Sequence, residues 1–499
     1  MFRPVISNLG FLLQMAGIFN ILPVCIGLYF GEDKATISIF ITIFAFFASG
    51  FLFNSFCERR ELDFKSSCTL LVIVFAVLSL IGAIPYFYLN IFQPQTNVFD
   101  LFTNSYFQSM SAFSATGFTL LPNVDALPRS LVLYMSLSQW VGGIGIIFVL
   151  LVFFYPARKL EHLGQAISAV NLKDIRSSFY SVVNIYTIYT IVFSGFLMLL
   201  GLDFVKAVSF TMSGLATGGL APVTDTAAVL NAPIGFVISL TLLFGAVNIN
   251  VHRKLLSGKF RKLFDSELVV FLGVIIVSSF LLTLIQQINL ADSFFHIISG
   301  SSTTGYGYLN LANFNDNSKI LFILIMFIGA CTSSTGGGIK IFRLIVFLKS
   351  IPWAIRKLLG YPVANFHVGN ENFEDGIILV LSYIALSIII LTTSAFIFTF
   401  NGFSFIDSFF EVTSAIGGVG FSVGIASLSL SAPLKWVLSL IMLIGRVEII
   451  VFLTAFINFP IHYLKNTAKS VITKIQNIRI YTTEFIKQIK TQVGHKRTP

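Results

Sequence analysis

DSFFHIISGSSTTGYG, residues 292–307, is too short to cross a membrane and too apolar for a water-exposed loop. Three other stretches share its make: NSYFQSMSAFSATGFT (104–119), KAVSFTMSGLATGGLA (206–221) and DSFFEVTSAIGGVGFS (407–422). Aligned without gaps, they place Gly117, Gly219, Gly305 and Gly420 in one column. Six residues earlier each carries a serine (Ser111, Ser213, Ser299, Ser414), followed by a small residue (Ala112, Gly214, Gly300, Ala415). Three concurrent columns within one chain mark an internal repeat.

The chain around these stretches is that of a polytopic membrane protein. Of 499 residues, 56% are hydrophobic and 11% charged, where a soluble domain carries about 25% charged residues. Runs long enough to cross a ~30 Å hydrocarbon core recur near 5–30, 35–56, 67–90, 129–155, 179–200, 231–251, 267–288, 319–348, 375–400 and 432–459. Only Met1, Phe2 and Arg3 precede the first run, with no small-residue cleavage site, so it reads as a helix rather than a signal peptide. The net charge of +10 collects at 57–65, 157–176, 252–262, 349–357 and after Pro460. The positive-inside rule puts those loops and both termini in the cytoplasm. Anionic lipid accounts for this basic rim, and no nucleic-acid motif accompanies it. Cys25, Cys57, Cys68 and Cys331 show no pairing or zinc pattern.

About a dozen residues at ~1.5 Å each make a helix that crosses half the membrane. Asn104, Asp292 and Asp407 are candidate caps for its start; Lys206 breaks that pattern, with Asp203 close by. Beyond the glycine the chain must return, and irregular backbone at that depth is stable only when it is buried in protein or lines water. Four such loops around an axis present carbonyl oxygens in place of a cation's hydration shell. Glycine tolerates the backbone angles the ring requires, and the helix C-termini add partial negative charge. The expected fold is all-α and polytopic. Two additional N-terminal transmembrane helices (1–60) precede four helix–pore loop–helix units at 61–157, 158–252, 253–350 and 351–460, followed by a basic cytoplasmic tail (461–499).

In this order and with these neighbours, SAFSATGFT, LATGG, SSTTGYG and SAIGGVGFS resemble the Trk/Ktr/HKT superfamily of potassium transporters, specifically its TrkH-like membrane subunits. QWVGGIGIIFVL (139–150), STGGGIKIFR (334–343) and IGRVEI (444–449) extend the resemblance over most of the chain. It implies potassium uptake through a filter with one glycine per repeat. The potassium-binding residues would be Thr116, Gly117, Gly218, Gly219, Thr304, Gly305, Val419 and Gly420. Serine at a filter position goes with sodium permeation in that family, so four glycines point to potassium. The resemblance also implies a homodimer in the bacterial inner membrane, docked on a cytoplasmic TrkA-type regulatory subunit that binds NAD(H) or ATP/ADP. Potassium is the cargo, and no tightly bound organic cofactor is expected. The departures are Lys206 and the fourth loop's Gly418-Val419-Gly420.

One span is visibly spoiled. Residues 319–348 are apolar to Ile328, break at GACTSSTGGG, and resume as IKIFRLIVFLK. Three consecutive glycines cost roughly 1 kcal/mol each against alanine in a helix. Thr332, Ser333, Ser334 and Thr335 then solvate a break hinged at Gly336, Gly337 and Gly338. This reads as a mobile constriction, as the resemblance also implies; a passive kink that lets helices pack through small residues is the alternative. Arg446 stands deep in the last span, where a charge costs several kcal/mol. The resemblance implies a positive barrier facing the constriction; the alternatives are a pair with Glu448, although residues two apart on a helix diverge, or partners on neighbouring helices. Lys340 reads as an inner-mouth charge or as a lysine snorkelling to the interface.

Gln108, His296 and Glu411 share a column nine residues before the glycine, with Phe210 in the second repeat, and read as braces behind the filter. Asn248 and Asn250 read as a cap or vestibule lining, and His162, His252 and His367 as surface residues. An H+- or Na+-coupled symporter is the alternative to a passive pore, with Glu411 and Glu448 as its candidate coupling groups. No metalloprotease or nucleophile-elbow motif supports an intramembrane enzyme.

Overall fold

The computed structural model describes residues 2–55, 62–92, 97–153, 175–258, 266–361, 367–368, 371–372 and 374–456. Cys57, His162 and the tail over 461–499 lie outside these, as does much of the basic loops.

Among the described residues the fold is all-α, apart from two two-residue strands, His367–Val368 and Glu371–Asn372, paired antiparallel. Three helices come first: α1 (Phe2–Phe19), α2 (Ile21–Phe30) and α3 (Asp33–Ser55). The next group is α4 (Phe64–Gly82), α5 (Ile84–Leu89), the short α6 (Val98–Phe113) and α7 (Arg129–Phe153). Then come α8 (Ile175–Leu199), the short α9 (Phe204–Leu215), and α10 (Ala232–Ala246) with α11 (Ile249–Leu256). The third group is α12 (Ser266–Gln286), the short α13 (Leu290–Ser301), α14 (Asp316–Ile328) and α15 (Ile341–Leu358). The last is α16 (Glu374–Phe400), the short α17 (Phe405–Gly417), α18 (Ala432–Val447) and Ile449–Phe456. Six spans among the described residues are long and apolar enough to cross a membrane, or eight if each of two bent pairs counts as one.

The short helices begin earlier than expected. Their caps are Asn97, Asp203, Asn289 and Ser404. The side chain of Asp203 accepts from Lys206 N, and that of Ser404 from Asp407 N. Asn104, Asp292 and Asp407 therefore lie inside their helices and bond sideways. Asn104 accepts from Lys435 at 2.7 Å, Asp407 from Lys319 at 2.7 Å, and Asp292 from the Tyr308 hydroxyl at 2.7 Å. The two lysines stand near the starts of α18 and α14, so each ties an outer helix to the short helix of the next group. Lys206 reaches Asp125 in the loop after the first short helix. The Thr224 N–H, with Lys206 adding to it, holds the Asp125 carboxyl below the usual carboxylate range. Glu32 accepts from Arg129 N, Ser130 N and Ser130 Oγ, capping α7 from outside its group. A carboxylate suits the positive end of a helix dipole.

The break in 319–348, which stands alone in the sequence, is not the only one in the structure. α10 and α11 meet at 112°, and α18 and the helix after it at 106°. All three breaks fall beside one column, Gly245, Gly329 and Gly445, whose fourth member Gly142 lies inside the unbroken α7. A Cβ at Gly142, Gly245 or Gly445 would press on the carbonyl oxygen of Phe113, Leu215 or Ile416, at the C-terminus of its own group's short helix. Only glycine permits that approach.

Candidate ion pathway

Each short helix ends against the centre of the molecule, and the chain after it turns twice. The residue two before the column glycine is left-handed in every loop: Ala115 (φ 51°), Thr217 (51°), Thr303 (59°) and Gly418 (65°). The glycines follow suit, with Gly117 at 93°, Gly219 at 79°, Gly305 at 82° and Gly420 at 87°. Between these two turns, one residue turns its N–H back to the serine column. Thr116 N donates to Ser111 O (3.0 Å), Gly218 N to Ser213 O (2.8 Å), Thr304 N to Ser299 O (2.9 Å) and Val419 N to Ser414 O (2.8 Å).

The carbonyls of those four residues close a ring. A Cβ on Gly117 would overlap the oxygen of Gly218, and one on Gly219 the oxygen of Thr304. One on Gly305 would overlap the oxygen of Val419, and one on Gly420 the oxygen of Thr116. All eight residues expected at the filter are thus brought together, each glycine against the next loop's carbonyl. A side chain in this column would collide with its neighbour rather than line a wall. The groups presented are neutral carbonyl dipoles, which suit a cation. No cluster of three or more metal-ligating side chains exists among the described residues.

Behind the ring stand the expected braces. Gln108 Oε1 accepts from Leu120 N (3.0 Å). His296 Nε2 accepts from Tyr308 N (3.3 Å) and Leu309 N (3.2 Å). Glu411 accepts from Ser422 Oγ (2.6 Å), Val423 N (3.1 Å) and Ala426 N (2.7 Å). Leu120, Tyr308 and Val423 are each three residues past the glycine. The second loop has Pro222 there, which carries no N–H, opposite Phe210, which carries no acceptor. Donor and acceptor are missing together, so no buried polar group is stranded. Loops one and three add a hydroxyl pair, Ser114 with Thr116 (2.7 Å) and Ser302 with Thr304 (2.8 Å).

The Gly329–Lys340 segment crosses the inner ends of the loops. Thr335 Oγ1 donates at 2.9 Å, with Leu215 O, at the end of α9, and Gly245 O as its acceptors. Gly337 N donates to Thr303 Oγ1 of the third loop (2.7 Å), and a Cβ on Gly337 would overlap Gly417 O at the fourth. Arg446 donates to Thr335 O (3.0 Å) and to Gly142 O, where α7 packs on the first loop's helix. The segment and Arg446 are therefore in direct contact. Lys340 does not snorkel; its ammonium folds back onto Gly336 O. Ser334 Oγ donates to Cys331 O, Ser333 O accepts from Ile249 N, and Gly338 turns the chain at φ 77°.

Glu448 does not pair with Arg446. The chain reverses at Glu448 (φ 67°), and its carboxylate meets Arg343 at 2.7 Å; that guanidinium also lies 3.9 Å over the Tyr383 ring. Asn248 caps α11 by accepting from Asn250 N, and Nδ2 reaches Thr332 Oγ1 at 3.4 Å. His252 is not at the surface but buried at 3% exposure, beside the Tyr189 hydroxyl at 3.3 Å. Glu267 is a residue that sequence reasoning missed. Its carboxylate accepts from Thr332 N (2.6 Å) and Thr332 Oγ1 (2.9 Å), pinning the segment to α12.

A family model described as "TrkH: Cation transport protein" matches residues 33–464. An uncharacterized cation transporter of Methanocaldococcus jannaschii is 28% identical over 468 residues, covering 91% of this chain and 94% of that protein. The Trk system potassium uptake protein TrkH of Salmonella typhimurium is 27% identical over 483 residues, covering 91% and 98%. The crystal structure of the potassium transporter TrkH from Vibrio parahaemolyticus superposes with a TM-score of 0.80 at 23% identity, covering 92% and 98%. At that identity the superposition speaks for the fold.

Proposed function

From the premise that the chain belongs to the TrkH family of cation transport proteins, we propose that it takes up potassium through the four-loop ring. It is an integral membrane transporter and not an enzyme. The observation that carries the proposal is the closed cycle of contacts in which each glycine admits the next loop's carbonyl. A potassium ion entering the ring exchanges water for the oxygens of Thr116, Gly218, Thr304 and Val419. The membrane potential supplies about 2.3 kcal/mol per charge per 100 mV.

On this reading the Gly329–Lys340 segment is the gate. It touches the inner ends of three loops directly, and Arg446 links it toward the first. A positive charge at that point opposes cation passage until the segment moves. The family resemblance further supports a homodimer in a bacterial inner membrane with cytoplasmic termini, regulated by a TrkA-type nucleotide-binding subunit. The carboxylates a coupled symporter would use are already engaged, Glu411 by loop donors and Glu448 by Arg343.

The test is potassium flux and current in proteoliposomes with sodium as competitor. Potassium-selective current that reverses at the potassium equilibrium potential, unmoved by pH or sodium gradients, is expected. A reversal that follows either gradient would replace the pore with a symporter.

A further inference from the structure

The second loop lacks what backs the other three. At the ring position, loops one, three and four carry the buried side chains of Thr116, Thr304 and Val419, whereas loop two has Gly218. A side chain from another element takes that place. A Cβ on Gly218 would meet Cδ, Oε1 and Nε2 of Gln139, and nothing nearer. Gln139 belongs to α7, one group away, and is fully buried. Its equivalents three residues before the glycine column are Leu242, Met326 and Met442. A primary amide stands only here.

All its hydrogen bonds go to the second loop. Ser213 Oγ donates to Oε1 at 2.6 Å and Leu220 N at 3.2 Å, while Nε2 donates to Gly218 O. The orientation of the amide is forced, because Leu220 N can only donate and Gly218 O can only accept. Leu220 N follows the ring glycine and Gly218 O precedes it, so the amide brackets Gly219 from behind. It also takes up one lone pair of a ring carbonyl; among the described residues no side chain donates to the other three.

We infer that Gln139 is a positioning residue for ion selectivity. Through its amide it fixes the direction of the Gly218 carbonyl and makes the second quarter of the ring a weaker, more rigid ligand than the others. The inference rests on the ring being the cation pathway.

The experiment measures the potassium-to-sodium permeability ratio of wild type, Gln139→Met and the double variant Gln139→Ala/Gly218→Thr. Methionine matches glutamine in length and is the residue of two other quarters. The double variant refills the volume as Thr116 and Thr304 do, without a donor to the carbonyl. The ratio should fall about fivefold in both, the equivalent of ~1 kcal/mol for one lost hydrogen bond, with protein yield retained. A wild-type ratio in Gln139→Met overturns the inference. If that variant does not fold, a wild-type ratio in the double variant overturns it too, showing that Gln139 only fills space. If wild type itself shows no potassium-selective current, the pathway reading fails, and that outcome is read before either variant is made.

Discussion

A single added carbon decides what the ring tolerates. At Gly305 a Cβ would overlap the Val419 oxygen, so even serine must push the third and fourth loops apart. Gly305→Ser is expected to lower the potassium-to-sodium permeability ratio by about tenfold, ~1.4 kcal/mol. An unchanged ratio removes Gly305 from the path. This scale was the most legible in the sequence, because excluded volume and missing donors act directly on residue identity. The glycine column, the braces at Gln108, His296 and Glu411, and the polar segment could all be read there. The Phe210–Pro222 substitution was also in plain view, but its meaning needed the register between the short helix and the returning strand. Gln139 was not legible, since its partners lie 74 to 81 residues away in sequence and its helix is mostly apolar. Glu267 was hidden by its setting beside a charged loop, where a carboxylate reads as solvated.

At the scale of elements, three of four outer helices break beside one glycine column, and two of those breaks were missed. Neither Val247-Asn248 nor Val447-Glu448 contains a glycine run; the bends are made by partners distant in sequence. Arg343, 3% exposed, is matched by Glu448 across the second of them. Glu448→Ala leaves that guanidinium buried without its carboxylate, a loss of about 3–5 kcal/mol, visible as a lower melting temperature in detergent. Arg343→Met added to Glu448→Ala should recover most of it, and no recovery would mean that Glu448 acts through the backbone turn alone. The longest break behaves differently, because its hydrogen bonds run to the inner ends of the loops. Deleting three or four residues from Thr332–Gly338 is expected to raise potassium flux severalfold. Loss of flux in a folded variant would make the segment a passive linker.

At the scale of the whole molecule, the architecture of short helices between long ones was legible because polar, glycine-rich sequence at membrane depth has few stable solutions. The ties between groups were not, since Lys319–Asp407 and Lys435–Asn104 join residues 88 and 331 positions apart. The hydroxyl pairs of loops one and three have a consequence of their own. Because the cycle of contacts runs from loop one to two to three to four, these two loops face each other across the axis. Two opposite quarters of the ring are thus backed by hydroxyl pairs, and the two between them are not. In a channel of four identical subunits a point mutation is copied four times; here one codon alters one quarter. Substitutions at equivalent positions are therefore not interchangeable.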